Sequence, residues 1–288
     1  MPLLMIKGSF HVTGGSKPDG DTVPFVPDHP TEWKLVPGNR TIVPKTGGRV
    51  SVRLEAIDAL ETHYAGHGPE VHQPLPLAHA AADELLNWLG FTDVHRNPDE
   101  TVTVTPDRVP GFILTSGADV HGRCVALVGR GEPPGTSGFE MNVSLELLRK
   151  TANHHLLTLG LAFPTYYTSL VAALRDELTL AVRQAQAAPG KGVWPLDATS
   201  TGAKITGLSS ITDEVVILPK LFRRLKDYLD LGDPSLRSFH AFLAGAGDTF
   251  RILSTDTPVT GLHHIVEITD GQTLRMTSPV EDLLFDEA

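Results

Sequence analysis

Residues 50–55 restrict the fold of this chain more than any other stretch of its sequence. Aliphatic residues alternate there with polar ones, in the order VSVRLE. Because successive side chains of a β-strand point to opposite faces, this pattern predicts a strand with one aliphatic face and with Arg53 on the other. Asp58 and Glu61 follow the strand. Taken alone, the segment is also typical of a strand edge followed by a solvated turn.

The surrounding sequence predicts further strands. The chain has 27 glycines and 22 prolines among 288 residues, concentrated in the first half and in a few connecting stretches. This distribution favours a β-rich region with many turns. Asp19-Gly20 is a strong signal for a hairpin turn. Strands are predicted within residues 7–57 and at residues 101–104, 111–114 and 124–128.

Apolar periodicity predicts helices at about residues 77–89, 142–159 and 169–187. The first ends at Gly90 and the second at Gly160, and glycine commonly ends helices because it adopts a left-handed backbone without strain. Strands, one helix, more strands and two helices follow one another along the chain. This order predicts an α+β fold in which a small barrel carries helices.

The end of the chain has a pattern of its own. Residues 196–202 are short and polar, which is typical of a linker. Helical segments are predicted near residues 217–230 and 235–244, and strands at residues 249–253, 263–268 and 273–276. We therefore predict two domains, residues 1–200 and a small α+β domain of unknown role at residues 203–288.

Composition excludes several classes of protein. The formal net charge is −10, which argues against a surface coated with positive charge. No run approaches 18 apolar residues, so we expect no membrane partner. The single cysteine, Cys124, excludes an internal disulfide and a thiolate metal site. The N-terminal residues lack the order of a secretory signal, and we expect a cytoplasmic protein.

Several short motifs, each weak alone, occur together in one order. They are DGDT at residues 19–22, VRLEAIDALE at residues 52–61 and DVHGR at residues 119–123. In this order they resemble the thermonuclease (staphylococcal nuclease-like) family, whose pattern is DGDT, VRLxxIDxPE and DxYGR. NHHLLTLGLA and KGVWP resemble that family's vNxxLvxxGlA helix and closing GlW. The resemblance covers about residues 7–197, with longer insertions near 26–48 and 94–118.

The resemblance implies a five-stranded OB-type barrel with three helices and a calcium-dependent nuclease. It also implies a role for each matching position: Asp21 and Asp58 as carboxylate ligands of Ca²⁺, the carbonyl of Ala59 as a further ligand, Arg53 and Arg123 as phosphate-contacting arginines, and Glu61 as the catalytic glutamate. These residue types suit the chemistry. Ca²⁺ prefers oxygen ligands. A guanidinium group can donate two parallel hydrogen bonds to two phosphoryl oxygens. A carboxylate can orient or deprotonate water.

This chain departs from the family pattern at two places. Leu60 stands where the family has proline, which we expect to loosen the turn that holds Glu61. His121 stands where the family has tyrosine, and we expect it near the bound nucleotide. Tyr166 and Tyr167 lie near the family's substrate-contacting tyrosines, although a core or rim position is an equal alternative for each.

Residues 33–53 contain cations and no acidic residue. One interpretation is an exposed basic loop; the other is a surface where Lys34, Arg40, Lys45 and the ring of Trp33 hold nucleic acid. The leading hypothesis is a nuclease that hydrolyses phosphodiester bonds of DNA, with RNA as a second candidate substrate and little sequence preference. The alternatives are a non-catalytic OB-type binding module, or a nuclease directed by a protein partner bound to the C-terminal region.

Overall fold

A closed five-stranded β-barrel forms the first part of the protein. The structure is a computed structural model that describes residues 2–232 and 234–286. Its strands are β1 (Leu3–His11), β2 (Thr22–Pro27), β3 (Val50–Leu54), β4 (Ile57–Ala59), β5 (Thr92–Arg96), β6 (Val102–Thr105), β7 (Arg108–Ala118), β8 (Cys124–Arg130), β9 (Glu140–Met141), β10 (Ala162–Pro164), β11 (Tyr166–Tyr167), β12 (Ala203–Lys204), β13 (Thr249–Ile252), β14 (Thr257–Thr260), β15 (Val266–Thr269), β16 (Thr273–Met276) and β17 (Leu283–Phe285).

The barrel runs in the order β1, β2, β3, β8 and β7, and β7 pairs with β1 to close it. The pairing of β3 with β8 is parallel and the others are antiparallel. Along β3 the aliphatic side chains are buried, while Arg53 is only partly buried. The predicted α+β barrel and the alternation of residues 50–54 are thus confirmed, whereas Glu55 lies beyond the end of β3 and is buried.

Six α-helices accompany the strands of the described residues: α1 (Leu75–Leu89), α2 (Leu145–Leu148), α3 (Ala152–Leu159), α4 (Ala172–Ala187), α5 (Pro219–Leu229) and α6 (Phe239–Ala246). The predicted helices at residues 77–89 and 169–187 correspond to α1 and α4. Gly90 and Gly160 follow α1 and α3 in the left-handed conformation. None of the described helices is long and apolar enough to cross a membrane.

The single helix predicted over residues 142–159 is wrong, because the chain breaks at Thr151 into α2 and α3. Thr151 is extended, with φ −99° and ψ 155°. Its hydroxyl donates to the carbonyl of Leu148 at 2.7 Å and accepts from the amide of His154 at 3.4 Å. One side chain thus satisfies the end of one helix and the start of the next.

Asn153 attaches α3 to the barrel. Its side chain is fully buried, and Oδ1 accepts from the amide of Val128 at 2.9 Å. Its Nδ2 donates to the carbonyls of Glu55 and Ala126 at 2.8 and 3.1 Å. Because Glu55 directly follows β3, Asn153 fixes the turn that leads from Arg53 towards the carboxylates.

The C-terminal residues pack through a second hydrophobic core against α1, β10 and the residue that follows β4. Leu60, Ala78 and Phe163 share this core with side chains of α5 and α6. Strand β17 also pairs in parallel with β11. The helices and strands predicted for the tail correspond to α5, α6, β13, β15 and β16, and the turn at Asp270-Gly271 connects the last two.

The polar stretch of residues 196–202 is held on both sides by hydrogen bonds. Thr199 is buried, its hydroxyl accepts from the amide of Leu218 at 2.9 Å, and its carbonyl accepts from the amide of Met276 at 2.7 Å. The division into residues 1–200 and 203–288 stays a prediction, and residues 1, 233, 287 and 288 lie outside the described part.

We predict that Asn153→Ala lowers the free energy of unfolding by about 3 kcal/mol, because the amide of Val128 and the carbonyl of Glu55 lose their side-chain partner and the carbonyl of Ala126 keeps only the amide of Glu55. Chemical denaturation followed by circular dichroism measures this change. Asn87→Ala is the control, since Asn87 is exposed on α1 and its loss should change stability by less than about 0.5 kcal/mol. Equal effects of the two substitutions would contradict the role given to Asn153.

Candidate active site

The loop before β2 brings Asp21 against the strand β4. Asp21 Oδ2 accepts from the amide of Ala59 at 3.4 Å, and its Oδ1 accepts from the Thr22 hydroxyl at 3.0 Å. Gly20 makes this approach possible, because a Cβ at that position would lie 2.6 Å from the Cβ atoms of both Ala59 and Ala81. The DGDT segment therefore packs directly on the end of β4.

Asp58 lies at the centre of the site and has no exposed surface. Strand β4 holds it through its pairing with β10. On one side, Arg53 Nη2 lies 3.5 Å from Asp58 Oδ1. Strands β3 and β4 thus bring the predicted arginine and the predicted aspartate together, and Asp21 is close enough to act on the charge of Arg53.

A second arginine, Arg223 from α5, contacts both carboxylates that follow β3. Its Nη1 and Nη2 lie 3.1 and 2.7 Å from Oδ1 and Oδ2 of Asp58. Its Nη1 also lies 2.5 Å from Oε1 of Glu61. A single guanidinium therefore bridges Asp58 and Glu61.

Burial and these charges set the protonation of the acids. Burial alone would raise the pKa of Asp58, but Arg223 and Arg53 outweigh it and hold that pKa below its usual range. Burial raises the pKa of Glu61 to about 7, against the lowering effect of Arg223. Burial, together with Asp21 and Glu61, raises the pKa of Asp19 well above its ordinary value. Desolvation raises the pKa of an acid and pairing with a cation lowers it, so neighbouring acids in this site have different pKa values.

The backbone of Glu61 is held by a buried glutamine. Glu61 donates its amide to Gln73 Oε1 at 3.3 Å, and its carbonyl accepts from the amide of Gln73 at 2.9 Å. Gln73 Nε2 donates to the carbonyl of Ile217 at 2.9 Å. Leu60, where the family pattern has proline, is fully buried in the second core. The expected loosening of the turn is therefore offset by packing against the tail.

A cavity of about 410 Å³ opens beside Arg53. Its wall includes several of the predicted substrate-binding side chains: Arg40, His121 and Tyr167. Because Arg53 both lines the cavity and contacts Asp58, it links the cavity to the carboxylates.

Other predicted residues lie elsewhere. Tyr166 is fully buried and its hydroxyl lies 2.9 Å from that of Thr179, so it is a core residue and contacts no substrate. Trp33 is buried and its Nε1 donates to the carbonyl of Gly48 at 2.8 Å, so the predicted stacking on its ring is wrong. Lys34 and Lys45 are exposed.

Arg123, the second predicted phosphate-contacting arginine, pairs with Asp119. Its Nε donates to Asp119 Oδ2 at 2.7 Å, and its side chain is 30% exposed. Its charge lowers the pKa of Asp19, although burial dominates there. Arg123 therefore belongs to the electrostatic surroundings of the DGDT loop, and it directly precedes β8, the strand that pairs with β3.

The carboxylates do not fit a Ca²⁺ ion in this arrangement. Arg223 takes both oxygens of Asp58 and one oxygen of Glu61. Within residues 2–232 and 234–286, no group of three or more His, Cys, Asp or Glu side chains is placed to hold a metal ion. Asp19 Oδ1 is nevertheless buried and has no hydrogen-bond partner in the structure.

Sequence reasoning missed three members of the site. Asp19 belongs to the DGDT motif, which gave a usable signal. Gln73 and Arg223 gave none, because their partners are distant along the chain. No protein-family model and no curated protein matches this chain, so geometry and chemistry alone describe the site.

We predict that Glu61→Gln flattens the dependence of stability on pH. Between its ordinary pKa of 4.5 and about 7, Glu61 carries a proton in the folded protein that the unfolded chain has released. Stability therefore falls as pH rises through this window, by at most about 3 kcal/mol. Urea denaturation between pH 4 and 8 measures the change. Glu132→Gln, at an exposed residue, should keep the wild-type profile, and an unchanged profile for Glu61→Gln would refute the shift.

Proposed function

We propose that this protein is a nuclease of the thermonuclease type, a hydrolase that cleaves phosphodiester bonds of DNA and RNA. One observation carries the proposal: Arg53 lines a cavity and at the same time contacts Asp58, with Asp21 and Glu61 beside it. A guanidinium that faces a cavity and acids that can handle protons are the groups that phosphodiester hydrolysis needs.

In the proposed reaction, Arg53 binds a non-bridging oxygen of the substrate phosphate in the cavity. Negative charge grows on these oxygens in the transition state, and a fixed guanidinium stabilises it. Arg123, just before the neighbouring strand β8, contributes a second positive charge. Glu61 accepts a proton from water as the water oxygen bonds to phosphorus, a role that its pKa of about 7 suits near neutral pH. The bond from phosphorus to one ester oxygen breaks, and that oxygen leaves and takes a proton from solvent. His121 and Tyr167 contact the nucleotide from the cavity wall.

The proposed Ca²⁺ ion would use Asp21, Asp58 and the carbonyl of Ala59. This set supplies the hard oxygen ligands that Ca²⁺ prefers. It becomes complete only when Arg223 leaves Asp58, because both Asp58 oxygens are otherwise taken. The calcium requirement of the proposed nuclease therefore includes a movement of Arg223.

A non-catalytic OB-type module that binds nucleic acid or protein is the second candidate function. The contact of Arg223 with Asp58 and Glu61 favours it, since a permanent ion pair would leave these acids with a structural role. The module would keep the cavity and its arginines, and therefore binding, while lacking hydrolysis. Cleavage assays separate the two functions.

We predict that the wild-type protein cleaves single- and double-stranded DNA in millimolar Ca²⁺ and that a chelator stops it. Arg53→Met and Glu61→Gln should each lower kcat/KM by about 100-fold or more, because each removes a group used in the transition state. Gel electrophoresis of labelled oligonucleotides measures the rates, and RNA is tested in parallel.

Arg149→Met and Glu132→Gln are the matched controls. Both residues are exposed and pair with other surface or partly buried groups, so their loss should leave cleavage unchanged. Cleavage that survives both the chelator and Glu61→Gln would reject the mechanism. Binding without cleavage, in every condition, would favour the module.

We predict that replacing Lys34, Arg40 and Lys45 with alanine weakens binding of single-stranded DNA. The slope of log affinity against log salt should become shallower by about 2, since each lost phosphate contact contributes about 0.7. Fluorescence anisotropy measures the affinity and its salt dependence, in the presence of a chelator that prevents cleavage of the DNA. Arg40→Ala alone should weaken binding more than Lys34→Ala, because Arg40 lines the cavity. Lys150→Ala, at an exposed residue, is the control, and an unchanged salt slope in the triple variant would exclude this surface.

A further inference from the structure

The acids of the candidate site already hold a positive group, and it comes from the tail. Asp58 and Glu61 are contacted by Arg223, which lies 165 and 162 residues further along the chain. The neighbouring cations of α5 form ion pairs away from the site, because Lys220 and Arg224 both pair with Asp248. Only Arg223 of this helical turn points to the site.

The guanidinium of Arg223 lies between Asp58 and Glu61, in the position that we assign to a shared cation. It contacts both oxygens of Asp58 and bridges to Glu61, and it is charged at every physiological pH. Asp19 Oδ1, in the same electrostatic cluster, is buried and without a hydrogen-bond partner. The cluster therefore holds more acid oxygens than Arg223 satisfies.

The backbone of α5 is fixed in place. Phe222 and Leu225 are fully buried in the second core. Tyr64, close behind Glu61, donates its hydroxyl to both oxygens of Asp227 at 3.1 Å. By contrast, the side chain of Arg223 is 21% exposed. Rotation of this side chain can therefore vacate the acids, whereas withdrawal of the helix would break the core.

We propose that Arg223 is an intramolecular competitor of a divalent cation, which keeps the site closed until the cation displaces it. The proposal rests on the proposed function only for the choice of Ca²⁺ as the cation. The wild-type protein binds Ca²⁺ weakly because binding requires Arg223 to leave Asp58. Removal of the guanidinium leaves Asp58 and Glu61 without their main counter-charge, and the site, with Asp21, then binds the cation directly.

Isothermal titration of the full chain with CaCl₂ tests this. We expect a dissociation constant at or above about 1 mM for the wild type and binding at least about tenfold tighter for Arg223→Met, since a competing charge has gone. Arg224→Met is the matched control, and it should bind like the wild type. Asp58→Asn in the Arg223→Met background should abolish the gain. Equal affinity of Arg223→Met and the wild type, or tight binding by the wild type, overturns the proposal.

Thermal unfolding with and without CaCl₂ provides a second readout, because Arg223→Met leaves Asp58 short of a partner. The melting temperature of this variant should be lowered and should rise on addition of Ca²⁺ more than that of the wild type. Arg223→Lys keeps a charge but loses the paired contact, so its affinity should lie between the two. If Arg223→Met does not fold, Arg223→Lys replaces it in the titration. A Ca²⁺ affinity of Arg223→Lys equal to that of the wild type would then contradict the proposal.

DNA cleavage by the same variants separates this proposal from the proposed function. Tighter Ca²⁺ binding by Arg223→Met without any cleavage supports the competitor and rejects the nuclease. Calcium-dependent cleavage by the wild type with no gain in affinity for Arg223→Met rejects the competitor and leaves the nuclease. Calcium-dependent cleavage by the wild type together with tighter Ca²⁺ binding by Arg223→Met supports both the nuclease and the competitor.

Discussion

A carboxylate without solvent contact determines the rest of this site. Asp58 is fully buried, and an ionised acid there is stable only with a close positive partner. Arg53 lies 3.5 Å from one of its oxygens, whereas Arg223 contacts both. The low pKa of Asp58 depends on this pairing, since burial acts in the opposite direction. The properties of the site therefore depend on which cation accompanies Asp58.

The tail supplies both the guanidinium and the packing that positions it. Leu60 lies between Asp58 and Glu61 in the sequence and is buried in the second core with side chains of α5. A proline at that position would offer less apolar surface to the helix. Gln73 adds a polar link, because it holds the backbone of Glu61 and donates to the carbonyl of Ile217 just before α5. The turn that carries the acids and the helix that carries Arg223 are thus one packed unit.

Local signals predicted much of this architecture from the sequence. The alternation of residues 50–55 identified β3, and Gly90 and Gly160 marked the ends of α1 and α3. The break at Thr151 escaped prediction because its hydroxyl caps two helices, and apolar periodicity does not report a cap. The role of Arg223 could not be predicted for a different reason. Arg223 and Arg224 are adjacent cations on one helix, and only tertiary packing directs the first to Asp58 and the second to Asp248.

A buried acid oxygen without a hydrogen-bond partner lies in the cluster around Arg223, and it bears on our proposal that a cation replaces this side chain. One guanidinium balances Asp58, yet Glu61 keeps a pKa raised to about 7 and Asp19 one raised well above its ordinary value, both mainly through burial. A site that served only to fix α5 would gain stability from apolar residues at these two positions, because buried acids without full compensation are costly. A divalent cation has no fixed donor geometry and can contact acid oxygens that Arg223 leaves unsatisfied, of which the buried Asp19 Oδ1 is one. That unsatisfied oxygen supports our proposal that a cation replaces Arg223.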